Sequence, residues 1–333
     1  MGRVLSGNAM TEQTDRTGAP ATMRTTLDLE LQKTVEQAAE SIKTGAVVVL
    51  DVPTGEVRAV YSAPADYYNR ALSAYAVGSV FKLIVAAAAL EADLQPVYTC
   101  KGKIKVGDTV YRCQNGRVHG RQTMEQALAH SCNVVFGEIA AELGPKTLMR
   151  YAEQVGVTRR YSFDGTTTAA GSFDVSNAAE SELAWAGIGQ YTDQINPCQY
   201  MTYMGAIANG GSAAEPFLVK EVTYGDSVKY KASTSSTGRL LNSTTAGRLA
   251  DMMHNAVVNV YGEWNFAGLY AGGKSGTAEN GGGKPAEGHF LRADAARYAE
   301  DPVRLRVFRA VPAGKRSGFR PLPDVRQRRR IAA

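Results

Sequence analysis

Between Ser79 and Ala92 the chain reads SVFKLIVAAAALEA, a stretch that is apolar from Val80 to Leu90 but for one charge, Lys82. Apolar residues fall on every side of a helical period: Val80, Phe81, Leu83, Ile84, Val85 and Leu90, with alanines between them. A helix without a polar face must be buried all round, so the segment predicts a central core helix against which other elements pack. The run is far too short to cross a bilayer. Lysine is almost never fully buried unless paired, which makes Lys82 the anomaly of the helix. Ser79 precedes it by one turn, so both side chains project from one face. Gly78-Ser79 also opens the helix, where free N–H groups and the helix dipole favour negative charge. A serine hydroxyl needs a base to become a nucleophile. A desolvated lysine is neutral more readily and can be that base. A capping serine and a lysine reaching out to water would leave the same pattern, so the pair does not decide its own function.

The surrounding pattern predicts sheet and helices in alternation. Residues 28–43 carry Leu31, Val35, Ala38, Ala39 and Ile42 at helical spacing, with Asp28 placed to cap the start. Ala46 to Val52 is a continuous apolar strand that turns at Pro53-Thr54-Gly55 and returns through Val57 to Tyr61. Lys103–Val106 and Thr109–Arg112 flank Gly107-Asp108 as a hairpin. Helical stretches follow at 124–129, 134–143, 147–155, 197–208 and 244–260, and Leu269 to Ala278 reads as a glycine-interrupted strand. Strands, a helical insertion and strands again indicate an α+β fold, an antiparallel sheet flanked by helices with an inserted helical subdomain.

Two further short motifs stand along the chain. Ser131-Cys132-Asn133 lies between two predicted helices and would pass alone for a helix cap. Lys274-Ser275-Gly276-Thr277 follows Gly272-Gly273 on the late strand, where glycine lets another backbone approach and the lysine and hydroxyls suit a peptide carboxylate. Each is weak by itself. The ordered trio Ser-x-x-Lys, Ser-x-Asn, Lys-Ser-Gly is specific, because it is the signature of penicillin-binding proteins and class A β-lactamases.

With these motifs in place, residues 25 to 288 resemble the transpeptidase domain of monofunctional, class B type penicillin-binding proteins. Thr25-Thr26-Leu27-Asp28, GAVVVLDVPTGE at 45–56, Asn69-Arg70-Ala71, Gly78-Ser79-Val80-Phe81-Lys82, Cys100, Cys113, His119-Gly120 and Gly187-Ile188-Gly189-Gln190 all carry the likeness, with Val77 where the family usually has proline. The resemblance implies a serine D,D-transpeptidase that forms an acyl-enzyme on peptidoglycan stem peptides ending in D-Ala-D-Ala, and that β-lactams inhibit covalently. Ser79 would be the acylated nucleophile and Lys82 its base. Ser131 and Asn133 would relay protons and bind the substrate amide. Lys274, Ser275, Gly276 and Thr277 would hold the terminal carboxylate, and the backbone N–H groups of Ser79 and Thr277 would form the oxyanion hole. The outer face of the bacterial cytoplasmic membrane is the expected location, and cell-wall synthesis or division proteins are the expected partners. Residues 1–24 are a polar segment that reads neither as a signal peptide nor as an anchor.

Other classes are less well supported. A class A β-lactamase would place a deacylating Glu in a Glu-x-x-x-Asn setting, whereas Glu180 and Glu182 lead into Leu183-Ala184-Trp185. A D,D-carboxypeptidase, or a catalytically impaired β-lactam-binding sensor, remains as an alternative. The net charge of +5 is concentrated in the arginine-rich end, so the body gives no ground for nucleic-acid binding. No CxxC and no Cys/His cluster is visible, so no metal and no cofactor are expected. Cys100 and Cys113 flank the hairpin and could come within disulfide reach, or remain free thiols. The transpeptidase domain is expected to end near residue 289. From 290 to 333 the chain turns Arg- and Pro-rich, which suggests a basic tail, frameshifted or disordered, that deprives the Lys274 strand of a neighbour.

Overall fold

The computed structural model of the protein describes residues 21–94, 97–163, 166–266, 269–278, 286–294 and 307–313. In chain order the elements that position the site are α1 (Leu29–Ala38), β1 (Gly45–Leu50), β2 (Val57–Ala63), α2 (Lys82–Glu91), β3 (Lys103–Val106), β4 (Thr109–Arg112), α3 (Met124–Ala129), α4 (Asn133–Gln154), α5 (Glu180–Ala186), α6 (Pro197–Ala208), α7 (Ser243–Ala256), β5 (Ala271–Ala278), β6 (Ala286–Asp294) and β7 (Val307–Ala313). The main sheet has the order β5-β6-β7-β1-β2, with every neighbouring pair antiparallel. Helices α2 to α7 enter the chain between β2 and β5, which is the inserted helical subdomain of an α+β fold.

Strand β1 is apolar throughout because both its faces are covered. Side chains alternate across a strand. Val47 and Val49 join Leu31, Val35, Ala39 and Ile42 on one side of the sheet, while Ala46, Val48 and Leu50 enter the large core on the other. Asp28 caps α1 by accepting from the backbone N–H groups of Glu30 and Leu31, both at 3.1 Å, and its second oxygen pairs with Arg58 on β2 at 3.0 Å. The cap thereby sets the helix on the sheet as well as starting it.

From Lys82 to Leu90 every residue of α2 is buried. The helix is held from one side by α6: the Tyr200 hydroxyl donates to the Val80 carbonyl, and that of Tyr203 donates to the Leu83 carbonyl at 3.2 Å. These bonds occupy carbonyls near the start of α2, where a shift would carry Ser79 with it. Helix α4 breaks at Gly144, which takes φ +74° ahead of Pro145, as the two separate helical stretches in the sequence anticipate.

The expected loss of a neighbour for the Lys274 strand is corrected. Backbone pairing continues past residue 290, with β6 running alongside β5 from Ala271↔Asp294 to Ala278↔Glu287. Strand β7 then closes the gap between β6 and β1. Arginines do not prevent this, because a strand needs apolar residues on alternate positions only. Pro312 lies beyond the described pairing of β7 with β1, which runs through Val307, Phe308 and Arg309, and stands opposite Glu287 of β6 near the end of that ladder. Residues 1–20 and 314–333, with most of the basic tail, lie outside the described residues. Among the described residues no helix is long and apolar enough to cross a membrane.

Because β7 joins the two halves of the sheet, a chain ending at Asp294 should lose its cooperative unfolding transition, as followed by circular dichroism during urea titration. A truncated chain with an unchanged midpoint would contradict this placement of β7.

Candidate active site

Three stretches of backbone meet at Ser79. Residues Gly78–Phe81 form a short 3-10 turn leading directly into α2, so Ser79 lies on this turn, one step outside the α-helix that the sequence suggests. Gly78 has φ +60°, and a Cβ there would fall 2.7 Å from the Thr277 carbonyl carbon and oxygen. A Cβ on Gly276 would fall 2.9 Å from the Val80 nitrogen and 3.3 Å from that of Ser79. Strand β5 therefore lies against the serine turn at a separation that only glycine permits on both sides. The segment Gly187–Gln190 clamps the same place. Gly78 N–H donates to the Gly189 carbonyl at 2.7 Å, and the Gln190 side-chain amide donates to the Thr277 carbonyl at 3.0 Å.

Lys82 is fully buried, and its amine reaches across to the second motif. Nζ lies 2.9 Å from Ser79 Oγ, 2.9 Å from the Ser131 carbonyl, 3.4 Å from Ser131 Oγ and 2.6 Å from Asn133 Oδ1. All four partners are neutral oxygens. Burial pulls the amine down from the ordinary lysine range to about 7, against a smaller opposing effect of the nearby Cys132 and Cys113. The Asn133 amide donates with its other end to the Arg112 carbonyl at 2.9 Å, tying the site to the β3–β4 hairpin. Ser131 sits at φ +54°, a left-handed conformation uncommon for a residue with a side chain.

Lys274 on β5 is also fully buried. Its Nζ donates to Ser131 Oγ at 2.9 Å and to the Ser275 carbonyl at 2.5 Å. The Ser131 hydroxyl thus stands between two lysines. Burial, followed by the nearby Lys82 charge, holds Lys274 well below its usual range. The structure therefore gathers the predicted Ser79, Lys82, Ser131, Asn133 and Lys274 into one connected network, with Ser275, Gly276 and Thr277 on the strand beside it.

Sequence reasoning passed over Tyr261. Helix α7 ends in a π-helical turn, Val257–Gly262, which brings the Tyr261 hydroxyl to 3.0 Å from both Ser275 Oγ and the Ser275 nitrogen. Its only forewarning in the sequence is an aromatic residue at the end of a predicted helix, which is too common to single out.

The cysteines require a second correction. Cys100, Cys113, Cys132 and Cys198 are all buried free thiols. Cys100 and Cys113 do meet, with their sulfurs 3.6 Å apart, but Cys113 is equally close to Cys132 at 3.7 Å. His119 Nδ1 lies 3.4 Å from the Cys100 sulfur. The four ligand-type atoms of Cys100, Cys113, His119 and Cys132 lie within 4.8 Å of one another, so a Cys/His cluster exists where none was expected. It escapes a search for short ligand spacings because the hairpin and the start of α4 assemble it from scattered positions.

The chain is similar to known proteins in sequence and fold. The family described as the penicillin binding protein transpeptidase domain matches residues 45–300, extending past the point where the resemblance was expected to stop. Stage V sporulation protein D of Bacillus subtilis is 29% identical over 299 residues, covering 81% of this chain and 45% of that protein. Peptidoglycan D,D-transpeptidase PbpA of Mycolicibacterium smegmatis is 28% identical over 274 residues, covering 71% of this chain and 55% of PbpA. The chain thus spans about half the length of these curated relatives. Among solved structures, the D,D-transpeptidase domain of a peptidoglycan glycosyltransferase from Eggerthella lenta superposes with a TM-score of 0.81 at 27% identity, covering 89% of this chain and 79% of that one. The ceftriaxone acyl-enzyme of penicillin-binding protein A from M. tuberculosis shares the fold, with a TM-score of 0.80 at 22% identity over 87% of this chain and 74% of its own. With the family match spanning most of its length and the three motifs converging on Ser79, the chain belongs to the penicillin-binding protein transpeptidase domain family.

Proposed function

We propose that this chain is a serine D,D-transpeptidase acting on D-Ala-D-Ala stem peptides at the outer face of the cytoplasmic membrane, and that β-lactams acylate it at the same serine. The observation that carries this reading is the Lys82 amine, depressed to about 7 and 2.9 Å from Ser79 Oγ. Neutral Lys82 takes the Ser79 proton as Oγ bonds to the carbonyl carbon of the penultimate D-alanine. The resulting oxyanion faces the backbone N–H groups of Ser79 and Thr277, on the two stretches that the glycines bring together. Collapse breaks the C–N bond, and the departing amine takes a proton passed from Lys82 through Ser131. An amine from a second stem peptide then attacks the ester, returns its proton by the same route and frees Ser79. Lys274, Ser275 and Thr277 receive the terminal carboxylate, with Asn133 beside the substrate amide. Arrival of that carboxylate would favour the charged form of Lys274. A charged Lys274 in turn favours the neutral, basic form of Lys82. The sensor alternative drew on a missing neighbour for β5, which β6 supplies.

Labelling with a fluorescent penicillin should be abolished in Ser79→Ala, and Lys82→Ala should slow it by about 10²–10⁴. Undiminished labelling of Ser79→Ala, or a Lys82→Ala rate within about twofold of the parent, would overturn these roles.

The acylation rate should climb with pH and level off above an apparent pKa near 7, since only neutral Lys82 accepts the proton. The same shift has a sign in stability. Between about 7 and 10.5 the unfolded chain retains a proton that the folded lysine has lost, so this group's contribution to stability improves as pH rises through that window. A flat rate profile from pH 5 to 9 would remove Lys82 as the titrating base.

Tyr261→Phe deprives Ser275 of a hydroxyl partner. It should lower the second-order acylation rate about 2- to 10-fold, the usual worth of one hydrogen bond, without abolishing labelling. An unchanged rate would show that Ser275 is held without it.

A further inference from the structure

We propose that Cys100, Cys113, His119 and Cys132 bind one zinc ion, which fixes the start of α4 and with it Ser131 and Asn133. The ligand set is a Cys3His set, one of the compositions that structural zinc sites use. The spacing fits as well. Zinc–sulfur bonds of about 2.3 Å at tetrahedral angles put neighbouring sulfurs about 3.7 Å apart, and a histidine nitrogen about 3.5 Å from a sulfur. Two sulfur pairs stand at 3.6 and 3.7 Å, and the nitrogen stands 3.4 Å from Cys100. The remaining pairs lie within 4.8 Å and need to close by about 1.3 Å at most. A disulfide fits less well. It would draw one pair of sulfurs to about 2.0 Å and leave the third thiol and the imidazole unused.

The cluster is enclosed and met by backbone donors. Cys100, Cys113 and Cys132 are buried, so a bound ion would be shielded from water. Gly102 N–H donates to the Cys100 sulfur at 3.3 Å. The N–H groups of Asn133 and Val134 are directed to Cys113. Backbone donors of this kind hold and orient the ligand atoms of metal sites.

What the ion would connect gives it a purpose. Cys113 directly follows strand β4, Cys100 and His119 flank the hairpin region, and Cys132 sits between Ser131 and Asn133. Cys132 is the N-cap residue of α4, yet its side chain makes no capping bond. Its sulfur faces the cluster instead. Ser131 has the unusual positive φ, and Lys82 and Lys274 both bond its hydroxyl. A metal bond one residue away would hold that turn in place.

Zinc itself is the probe. The chain is reduced, stripped with a chelator, incubated with zinc chloride and desalted, and its zinc is measured by mass spectrometry. We expect about one zinc per chain and a rise of several degrees in melting temperature. Cobalt in place of zinc should give the visible absorption of a tetrahedral thiolate site. Cys100→Ser and His119→Ala should each weaken zinc binding at least about tenfold. Cys198→Ser, outside the cluster, should bind as the parent does. If the ligand variants do not fold, the zinc uptake and thermal shift of the parent still decide the matter. Retention of less than about 0.1 zinc per chain with no thermal shift overturns the proposal. So does equal binding by Cys100→Ser and Cys198→Ser, or a Cys100–Cys113 or Cys113–Cys132 disulfide that persists with zinc present. Zinc uptake by Ser79→Ala should equal that of the parent, so the metal site and the transpeptidase reading can fail separately.

Discussion

Burial of the Lys82 amine among neutral oxygens is the constraint from which the arrangement of the site follows. Desolvation disfavours the charged form, so the amine must find hydrogen-bond partners or become neutral. It does both: Ser79, Ser131 and Asn133 surround it, and its proton affinity falls. Those partners come from the α2 turn and from the start of α4, which are distant in sequence. The amine can be satisfied only if α2, α4 and the hairpin carrying Arg112 hold fixed positions. A chemical requirement at one atom thus becomes a packing requirement on the helical subdomain.

The sheet side answers to a different constraint, the absence of side chains. Gly78 and Gly276 let the serine turn and β5 lie against each other, and a Cβ at either would strike backbone that cannot move aside. That contact places the nitrogen of Ser79 next to the Gly276-Thr277 segment, as a two-donor oxyanion site requires. The pairing of β5 with β6 along its length then ties the position of Thr277 to the whole sheet. The two sides of the cleft are therefore fixed by unrelated means, hydrogen bonding to a buried amine on one and backbone proximity on the other.

Much of this was legible in the sequence because its signals are local. An apolar helix with one lysine, a serine one turn earlier and a glycine-bounded lysine on a strand each identify themselves over a few residues. The features that escaped are those that depend on what meets what. The β6 and β7 strands were obscured because arginine content says little about which face of a strand is buried, and their pairing partners lie far away in β5 and β1. The Cys/His cluster was missed for the same reason, since Cys100 and Cys132 become neighbours of Cys113 only once the hairpin folds onto α4. Tyr261 was missed because a π-helical turn displaces it from where a regular helix would have carried it.

Ser131 takes part in both constraints. Its hydroxyl touches Lys82 from α2 and Lys274 from β5, so it spans the two sides of the cleft. Neither lysine has a carboxylate among the hydrogen-bond partners described above, and two amines sharing one hydroxyl cannot both hold a full charge cheaply. The pocket therefore favours an arriving anion, and in the proposed reaction the substrate brings one. The strained backbone at Ser131 belongs to the same design. A left-handed residue persists only where its surroundings over-determine it, and here the two lysine bonds, the Lys82 bond to its carbonyl and the anchored neighbours Cys132 and Asn133 do so. The strain positions a hydroxyl that must exchange protons with one lysine while the other attends to a carboxylate, and a relaxed helix cap at Ser131 would point that hydroxyl toward its own helix instead.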